Sequence, residues 1–341
     1  MNNIPVVFAS DNNYIVPTIV SITSMLKNKN QDTFYNIFIL DSGIANDNKA
    51  KFTWDEFLDH YKINFIPIDL TEIENKNCYG TWTPVIYAKY FICDLLPEFN
   101  KCLWLDSDTI ILSDLSQLFN TELNDNYLGA VKSPLTNYNV SAEKHSYLSR
   151  DEYSLKCINV GMLVLNLKML RELGGGSFFM EKTIETISLL PPGSLVTEQD
   201  MFTKLLSDRI VYLPLKFNQF VINILNNSER HYYPFCFKSS DIEDAFSNPV
   251  IIHFTVPEKP WVYSNAKNVY LSFYKFTASL WYDYFLKSPV RRQKLKRKRL
   301  GFLLILYYHL KPYLKKNKML LKLKRNITKT KISSPMHDFF D

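Results

Sequence analysis

Asp106 and Asp108 stand one residue apart where the apolar run Cys102–Leu105 gives way to a second, Thr109–Leu112. Two carboxylates that close repel each other and shift each other's pKa values unless a cation lies between them. Oxygen ligands suit Mg²⁺ or Mn²⁺, and such ions suit a diphosphate. The place reads as the open edge of a sheet; the other reading is a solvated turn between two strands. His253 ends the apolar run Val250–His253, and Lys259 follows six residues later within Pro257-Glu258-Lys259-Pro260-Trp261. A histidine at a strand end reads equally as structural. Thr197-Glu198-Gln199-Asp200 precedes the helical stretch MFTKLLSD, and acidic residues there serve an N-terminus for electrostatic reasons alone. No Ser-His-Asp or Cys-His arrangement for a covalent route stands out, and no glycine-rich phosphate loop is present.

These residues need elements to hold them. Ile4–Ala9 reads as a buried parallel strand, and Ser10-Asp11-Asn12-Asn13-Tyr14 follows it. Polar residues at the carboxyl end of a first strand are where open α/β sheets bind nucleotides; they are also good helix caps. A helix is expected through Met25, then a strand over Tyr35–Leu40, a helix from about Asn46 to His60 and a strand over Asn64–Ile68. IYAKYFICDLLPEF is helix-like and leads into the strand before Asp106. After it come a short helix, Asp114–Phe119, and strands at Tyr127–Lys132 and from Ile158 through MLVLNL. Strands alternating with helices predict an α/β fold with a mainly parallel sheet. Ser133–Lys156 is polar and long for a loop, as binding loops and lids are. Gly174-Gly175-Gly176 reads as a linker.

The chain of 341 residues is 46% hydrophobic and 15% aromatic with nine glycines, which suits a globular fold and excludes repeat or low-complexity classes. Its five cysteines, at 78, 93, 102, 157 and 236, show no close pairing, so free thiols in a reducing compartment are expected. No signal peptide is expected, because Val6 enters an apolar strand without a basic leader. The longest apolar stretch, Gly301–Leu310, is half a membrane span. The net charge of +6 hides a division: Lys287–Lys331 carries 17 basic and no acidic residues, while the first 286 residues hold 23 basic and 32 acidic ones, a net of −9. A domain over residues 1–286 and a basic tail over 287–341 are expected.

FASDNNY, YAKYFICDLLPEFNKCLWLDSDTIIL, INVGMLVLNL, TEQD and IIHFTVPEKPW together resemble the family 8 glycosyltransferases, and among them the bacterial lipooligosaccharide galactosyl- and glucosyltransferases. The resemblance covers about residues 4 to 286. It implies a GT-A fold, a UDP-galactose or UDP-glucose donor, Mn²⁺ (or Mg²⁺) as cofactor, and retention of anomeric configuration. Asp106, Asp108 and His253 match the metal ligands, a mixed carboxylate and imidazole set that suits Mn²⁺. Asp11, Asn13 and Tyr14, with Ala9 beside them, match residues on the uracil and ribose. Ser107 and Val256 also fall in the donor-binding set, and Lys259 matches the lysine on the diphosphate. Asn159, Glu198, Gln199 and Asp200 match side chains around the transferred sugar. Asn159, Gln199 and Asp200 are the catalytic candidates. Gln199 would steady an oxocarbenium-like carbon and Asp200 is a candidate nucleophile; front-face return with the leaving phosphate as base is the preferred route. Three positions depart from the family's pattern: Lys89 for an arginine, Val256 for a glycine, and Glu198 for an aspartate.

The tail mixes apolar and basic residues at helical spacing, as segments lying on anionic membranes do. No nucleic-acid partner is expected. A peripheral enzyme on the cytoplasmic face of the inner membrane, acting on a lipid-linked glycan, would join the two halves.

Overall fold

The computed structural model describes residues 2–74, 83–133, 156–191, 194–221, 236–255, 259–262 and 272–295. Val256, most of the expected lid and the tail after residue 295, Gly301–Leu310 included, lie outside the described residues.

A seven-stranded sheet has the order β3-β2-β1-β4-β7-β6-β8. β1 (Asn2–Ser10) lies at its heart, parallel to β2 (Thr33–Asp41) with Val6 opposite Ile37, and parallel to β4 (Lys101–Leu105) with Val6 opposite Leu103. β3 (Tyr61–Pro67) extends the parallel half. Beyond β4 the sheet turns: β7 (Ile158–Asn166) is antiparallel to both β4 and β6 (Leu128–Lys132), while β8 (Ile210–Tyr212) runs parallel to β6. The expected mainly parallel α/β sheet is present. Its strands are apolar on both faces because both are covered. Ile4, Val6 and Phe8 point into one core with helix α1 (Ile15–Lys27), and Val7 with Trp104 into the other, where Tyr90 stacks on Phe179 and Phe202 meets both rings edge-on.

The apolar stretch after Asp108 does not rejoin this sheet. β5 (Thr109–Ile111) leaves it for a separate three-stranded sheet of order β5-β10-β9, in which β10 (Ile251–His253) is antiparallel to β5 and parallel to β9 (Gln219–Phe220). The two aspartates thus sit on the crossing between two sheets. α1 supports this crossing with buried hydroxyls: Ser24 Oγ accepts from the Ile111 N–H at 2.8 Å, and Ser21 Oγ lies 2.9 Å from Thr109 Oγ1. The first of these satisfies a buried backbone group of the crossing strand and the second a buried side-chain hydroxyl.

Three expectations change. The helix expected over Asn46–His60 is split into Asn46–Lys49 and a 3-10 segment, Asp55–His60. Between them Phe52 and Trp54 are buried, and the Trp54 indole donates to Thr23 Oγ1 at 2.8 Å. Burying two such rings at about 1.5–3 kcal/mol each offsets a lost helical turn whose hydrogen bonds contribute about 1 kcal/mol apiece. The helix-like stretch before β4 begins as 3-10 helix, Pro84–Phe91, before one α-turn at Ile92–Leu95. The triple glycine is a packed corner and not a linker: Gly174 and Gly175 take φ of 118° and 64° between two helices. A Cβ on Gly175 would fall 2.3 Å from Asp94 Oδ1, and Asp94 Oδ2 accepts from the Gly176 N–H at 2.7 Å.

Candidate active site

Ser107 anchors the Asp-Ser-Asp turn. It is buried, its hydroxyl donates to the Ala9 carbonyl at 2.8 Å, and Thr18 Oγ1 lies 2.9 Å from it. The middle residue is therefore fixed against β1 and α1, and the flanking aspartates turn toward His253. The Asp106 N–H donates to the Gly161 carbonyl at 2.7 Å, and the Thr109 hydroxyl donates to the Asp106 carbonyl at 2.8 Å. On the far side, β10 pairs with β5 so that His253 faces Thr109, and the Phe254 N–H donates to the Asp108 carbonyl at 2.9 Å. Pairing in the second sheet thus brings a histidine from late in the chain to the two aspartates.

The side chains then converge. His253 Nε2 lies 3.1 Å from Asp108 Oδ1 and 3.8 Å from Asp106 Oδ2. Lys259 Nζ is 2.5 Å from Asp108 Oδ2 and also donates to the Phe254 carbonyl. Asp106 Oδ1 accepts from the Trp104 indole at 2.8 Å and lies 3.3 Å from Lys89 Nζ. Lys89, buried at the end of the 3-10 segment, donates to Glu198 Oε1 at 2.7 Å. Burial works to raise the Asp108 carboxyl, but Lys259 and His253 overcome it and hold the group far below the usual range. Burial likewise opposes the Lys89 charge, and Asp106 with Glu198 overcome it, so the ammonium is held protonated above its ordinary value. Glu198 shares that one ammonium with Asp106, and its burial raises it. Tyr14 is raised by burial first and then by the negative charge of Asp108, Asp106 and Asp11.

A ligand atom from each of Asp106, Asp108 and His253 lies within 4.8 Å of the others. The donor set fits a divalent cation. Two carboxylates converge on an imidazole nitrogen, three carboxylates (Asp106, Asp108, Glu198) face two ammonium groups, and the ligands suit Mn²⁺ or Mg²⁺.

The remaining expected residues divide. Asn159 is joined to the cluster: its Oδ1 accepts from the Gly161 N–H at 2.9 Å and from Asn218 Nδ2 at 2.8 Å. Asp11 Oδ1 accepts from the Asn13 and Tyr14 backbone N–H groups, both at 2.9 Å, so the acid caps the entry to α1. Tyr14 sits edge-on to Trp261 at 6.4 Å. Gln199 Nε2 lies 3.8 Å from Cys157 Sγ. Asp200 is buried and closes a capping box, accepting from the Thr197 N–H at 3.2 Å and from its hydroxyl at 2.5 Å. Two of the departures from the family's pattern, Lys89 and Glu198, are the two ends of one ion pair.

Sequence reasoning missed three residues. Trp104 reads as plain strand apolarity, although its indole N–H orients Asp106. Gly161 reads as a strand glycine, although a Cβ there would fall 2.1 Å from His253 Cε1. Asn218, fully buried, contacts His253 Nδ1 through Oδ1 at 3.0 Å. The signal for it was the polar pair Asn218-Gln219 set between Phe217 and Phe220-Val221.

The profile of glycosyl transferase family 8 matches residues 5–265. General stress protein A of Bacillus subtilis is 23% identical over 271 residues, 78% of this chain and 89% of its own length. Lipopolysaccharide 1,2-glucosyltransferase of Escherichia coli K12 is 25% identical over 265 residues, 75% of this chain and 72% of its own. Among solved structures, the galactosyltransferase LgtC, in complex with donor and acceptor sugar analogs, superposes with a TM-score of 0.67 at 22% identity, covering 84% of this chain and 96% of that one. The fold is therefore that of LgtC, and with most of the chain matched by one family profile, the protein belongs to glycosyl transferase family 8.

Proposed function

We propose that this glycosyltransferase moves a hexose, galactose or glucose, from its UDP-sugar to a lipooligosaccharide or lipopolysaccharide acceptor, with retention at the anomeric carbon. The convergence of Asp106, Asp108 and His253 beside Lys259 is the observation that carries the reading. Similarity to a lipopolysaccharide glucosyltransferase supports the acceptor class.

The chemistry follows from charge. Breaking the sugar–phosphate bond leaves UDP with an added negative charge and the anomeric carbon electron-poor. Mn²⁺ held by Asp106, Asp108 and His253 would supply Lewis-acid stabilisation of that leaving group. Lys259, whose ammonium lies against Asp108, would turn to the diphosphate and add a second positive charge. Asn159 and Gln199 would line the sugar. Asp200 serves the helix N-terminus through Thr197, so front-face return, with the departing phosphate accepting the acceptor's proton, asks less of the protein than attack by this carboxylate.

A screen of UDP-sugars should give metal-dependent UDP release with UDP-galactose or UDP-glucose. Chelation should suppress it, and added Mn²⁺ should restore it. Tight donor binding with no release under any condition would make the chain a binding module instead.

The tail reading needs its own measurement. Among the described residues no helix is long and apolar enough to cross a membrane. The basic tail would hold the enzyme against an anionic surface on the cytoplasmic face of the inner membrane, each Lys or Arg near the lipid adding about 1 kcal/mol. Ser288 and Val290 are buried, so the truncation belongs after Leu295. The shortened chain should fold, transfer sugar to a small free acceptor and lose sedimentation with anionic vesicles. Unchanged sedimentation would move the anchor into the catalytic body.

A further inference from the structure

We propose that Asn218 is a positioning residue that sets the direction of the hydrogen bonds running from Asn159 to His253, and so fixes which imidazole nitrogen faces the two aspartates. A backbone donor has only one sense. The Gly161 N–H donates to Asn159 Oδ1 at 2.9 Å, so that oxygen is identified as the acceptor end of the Asn159 amide. Asn218 approaches the same oxygen at 2.8 Å, and only its NH₂ can do so favourably. The Asn218 amide is thereby oriented, and its Oδ1 is left facing His253 Nδ1 at 3.0 Å. An amide oxygen only accepts, so Nδ1 carries the hydrogen. Nε2 then points its lone pair at Asp106 and Asp108, 3.8 and 3.1 Å away.

That polarity favours a positive charge between Nε2 and the carboxylates, a proton in the metal-free protein and a metal ion when one binds. A lone pair against two carboxylates is repulsive unless a cation or a proton lies between them. A ligating histidine whose other nitrogen is held by a fixed acceptor presents its free nitrogen without a tautomer penalty. The relay has a second consequence at its other end. With Oδ1 of Asn159 taken by two donors, its NH₂ is the free end, so the group it meets on a bound donor must be an acceptor. Gly161 makes the relay possible: its N–H starts the chain, its carbonyl holds the Asp106 N–H at 2.7 Å, and a side chain there would strike His253. β7 pairs irregularly with β6 at this place, between Ala130 and Val131, and such bulges re-aim backbone groups beside active sites. Asn218 is fully buried, so water does not compete for these bonds.

The proposal rests on the reading of Asp106, Asp108 and His253 as a cation site, and its first test is independent of that reading. In metal-free wild type, ¹⁵N spectra of the imidazoles, with His253 assigned by comparison with His253→Gln, should show hydrogen on Nδ1 at a pH where the ring is neutral. Hydrogen on Nε2 would overturn the proposal. Calorimetric titration with Mn²⁺ is the second readout. Asn218→Leu, which removes both bonds at similar volume, should raise the Mn²⁺ Kd about 10- to 100-fold, as loss of an outer partner does, and should move His253 toward the Nε2–H form. Asn218→Asp keeps an oxygen facing Nδ1, so it should keep the tautomer and most of the metal affinity while weakening donor binding through Asn159. If both variants lose metal affinity equally while folded, Asn218 acts only through packing and the proposal fails. If the wild type binds no Mn²⁺, the cation reading falls, and the tautomer still decides for or against Asn218.

Discussion

Replacing Asp108 with asparagine is expected to lower kcat/KM by about a thousandfold or more while leaving a folded protein. The side chain meets His253 on one oxygen and Lys259 on the other, so it touches both a fellow metal-ligand candidate and the lysine assigned to the leaving diphosphate. Loss of such stabilisation of developing charge costs several kcal/mol of barrier. Asparagine is the better substitution because this carboxylate is not the surface group that its place in a turn suggests: its side chain is only 14% exposed. Alanine would leave the Lys259 ammonium facing a void, and breaking a buried pair from one side costs about 3–5 kcal/mol. The same pairing has a pH signature. Because the folded-state carboxyl is depressed, its stabilising contribution is present above the unfolded carboxyl range, near pH 4, and is lost as pH falls through the lower folded value. Asp108→Asn should therefore flatten the acid limb of the wild-type stability curve. A variant with near wild-type turnover at saturating donor would show that the metal assignment is wrong.

The sequence made the parallel half of the sheet legible because its strands are long apolar runs with turn residues at their ends, and β1, β2 and β4 lie where those runs stand. The second sheet was legible only in part: the apolar runs Thr109–Leu112 and Val250–His253 are where β5 and β10 lie, but their pairing was not legible. Its strands hold two or three residues each, too few for periodicity to act on, and they exist because β5 and β10 pair across a large sequence separation. That pairing is what brings His253 to Asp108, so the histidine's place was implied by resemblance and its geometry by the structure. Helix length misled at Phe52 and Trp54, where tertiary burial overrides local propensity. Asp200 shows the reverse case. Its position before a helix allowed a capping reading and a catalytic one, and the capping box with Thr197 is the contact found. Asn218 escaped because a buried amide has no distinctive pattern; its meaning appears only once both of its partners are in view.

Lys89→Met is the substitution expected to cost most stability. Lys89 Nζ stands 2.7 Å from Glu198 and 3.3 Å from Asp106, and both it and Glu198 are buried. Removing the ammonium leaves two carboxylates near one another with no cation between them, at a cost of about 3–5 kcal/mol. For a domain of this size that is a fall in Tm of roughly 10 °C. The pH dependence separates this cause from simple loss of packing. In the wild type the raised Lys89 ammonium contributes stability that is complete below its unfolded pKa, near 10.4, and is lost only as pH rises through the higher folded value. In Lys89→Met the uncompensated Glu198 carboxyl, already raised by burial, is driven higher. The folded state then binds a proton that the unfolded state releases, so the deficit should shrink as pH falls from neutral toward 5. Glu198→Gln placed on top of Lys89→Met should recover much of the lost Tm at neutral pH and remove that pH dependence, since the group needing the ammonium is gone. Thermal melts of the two variants and the wild type across this range decide the matter. A Tm deficit in Lys89→Met that is the same at pH 5 and pH 7, or that Glu198→Gln deepens, would mean that the lysine supports the site through the packing of its buried aliphatic stem and not through its charge.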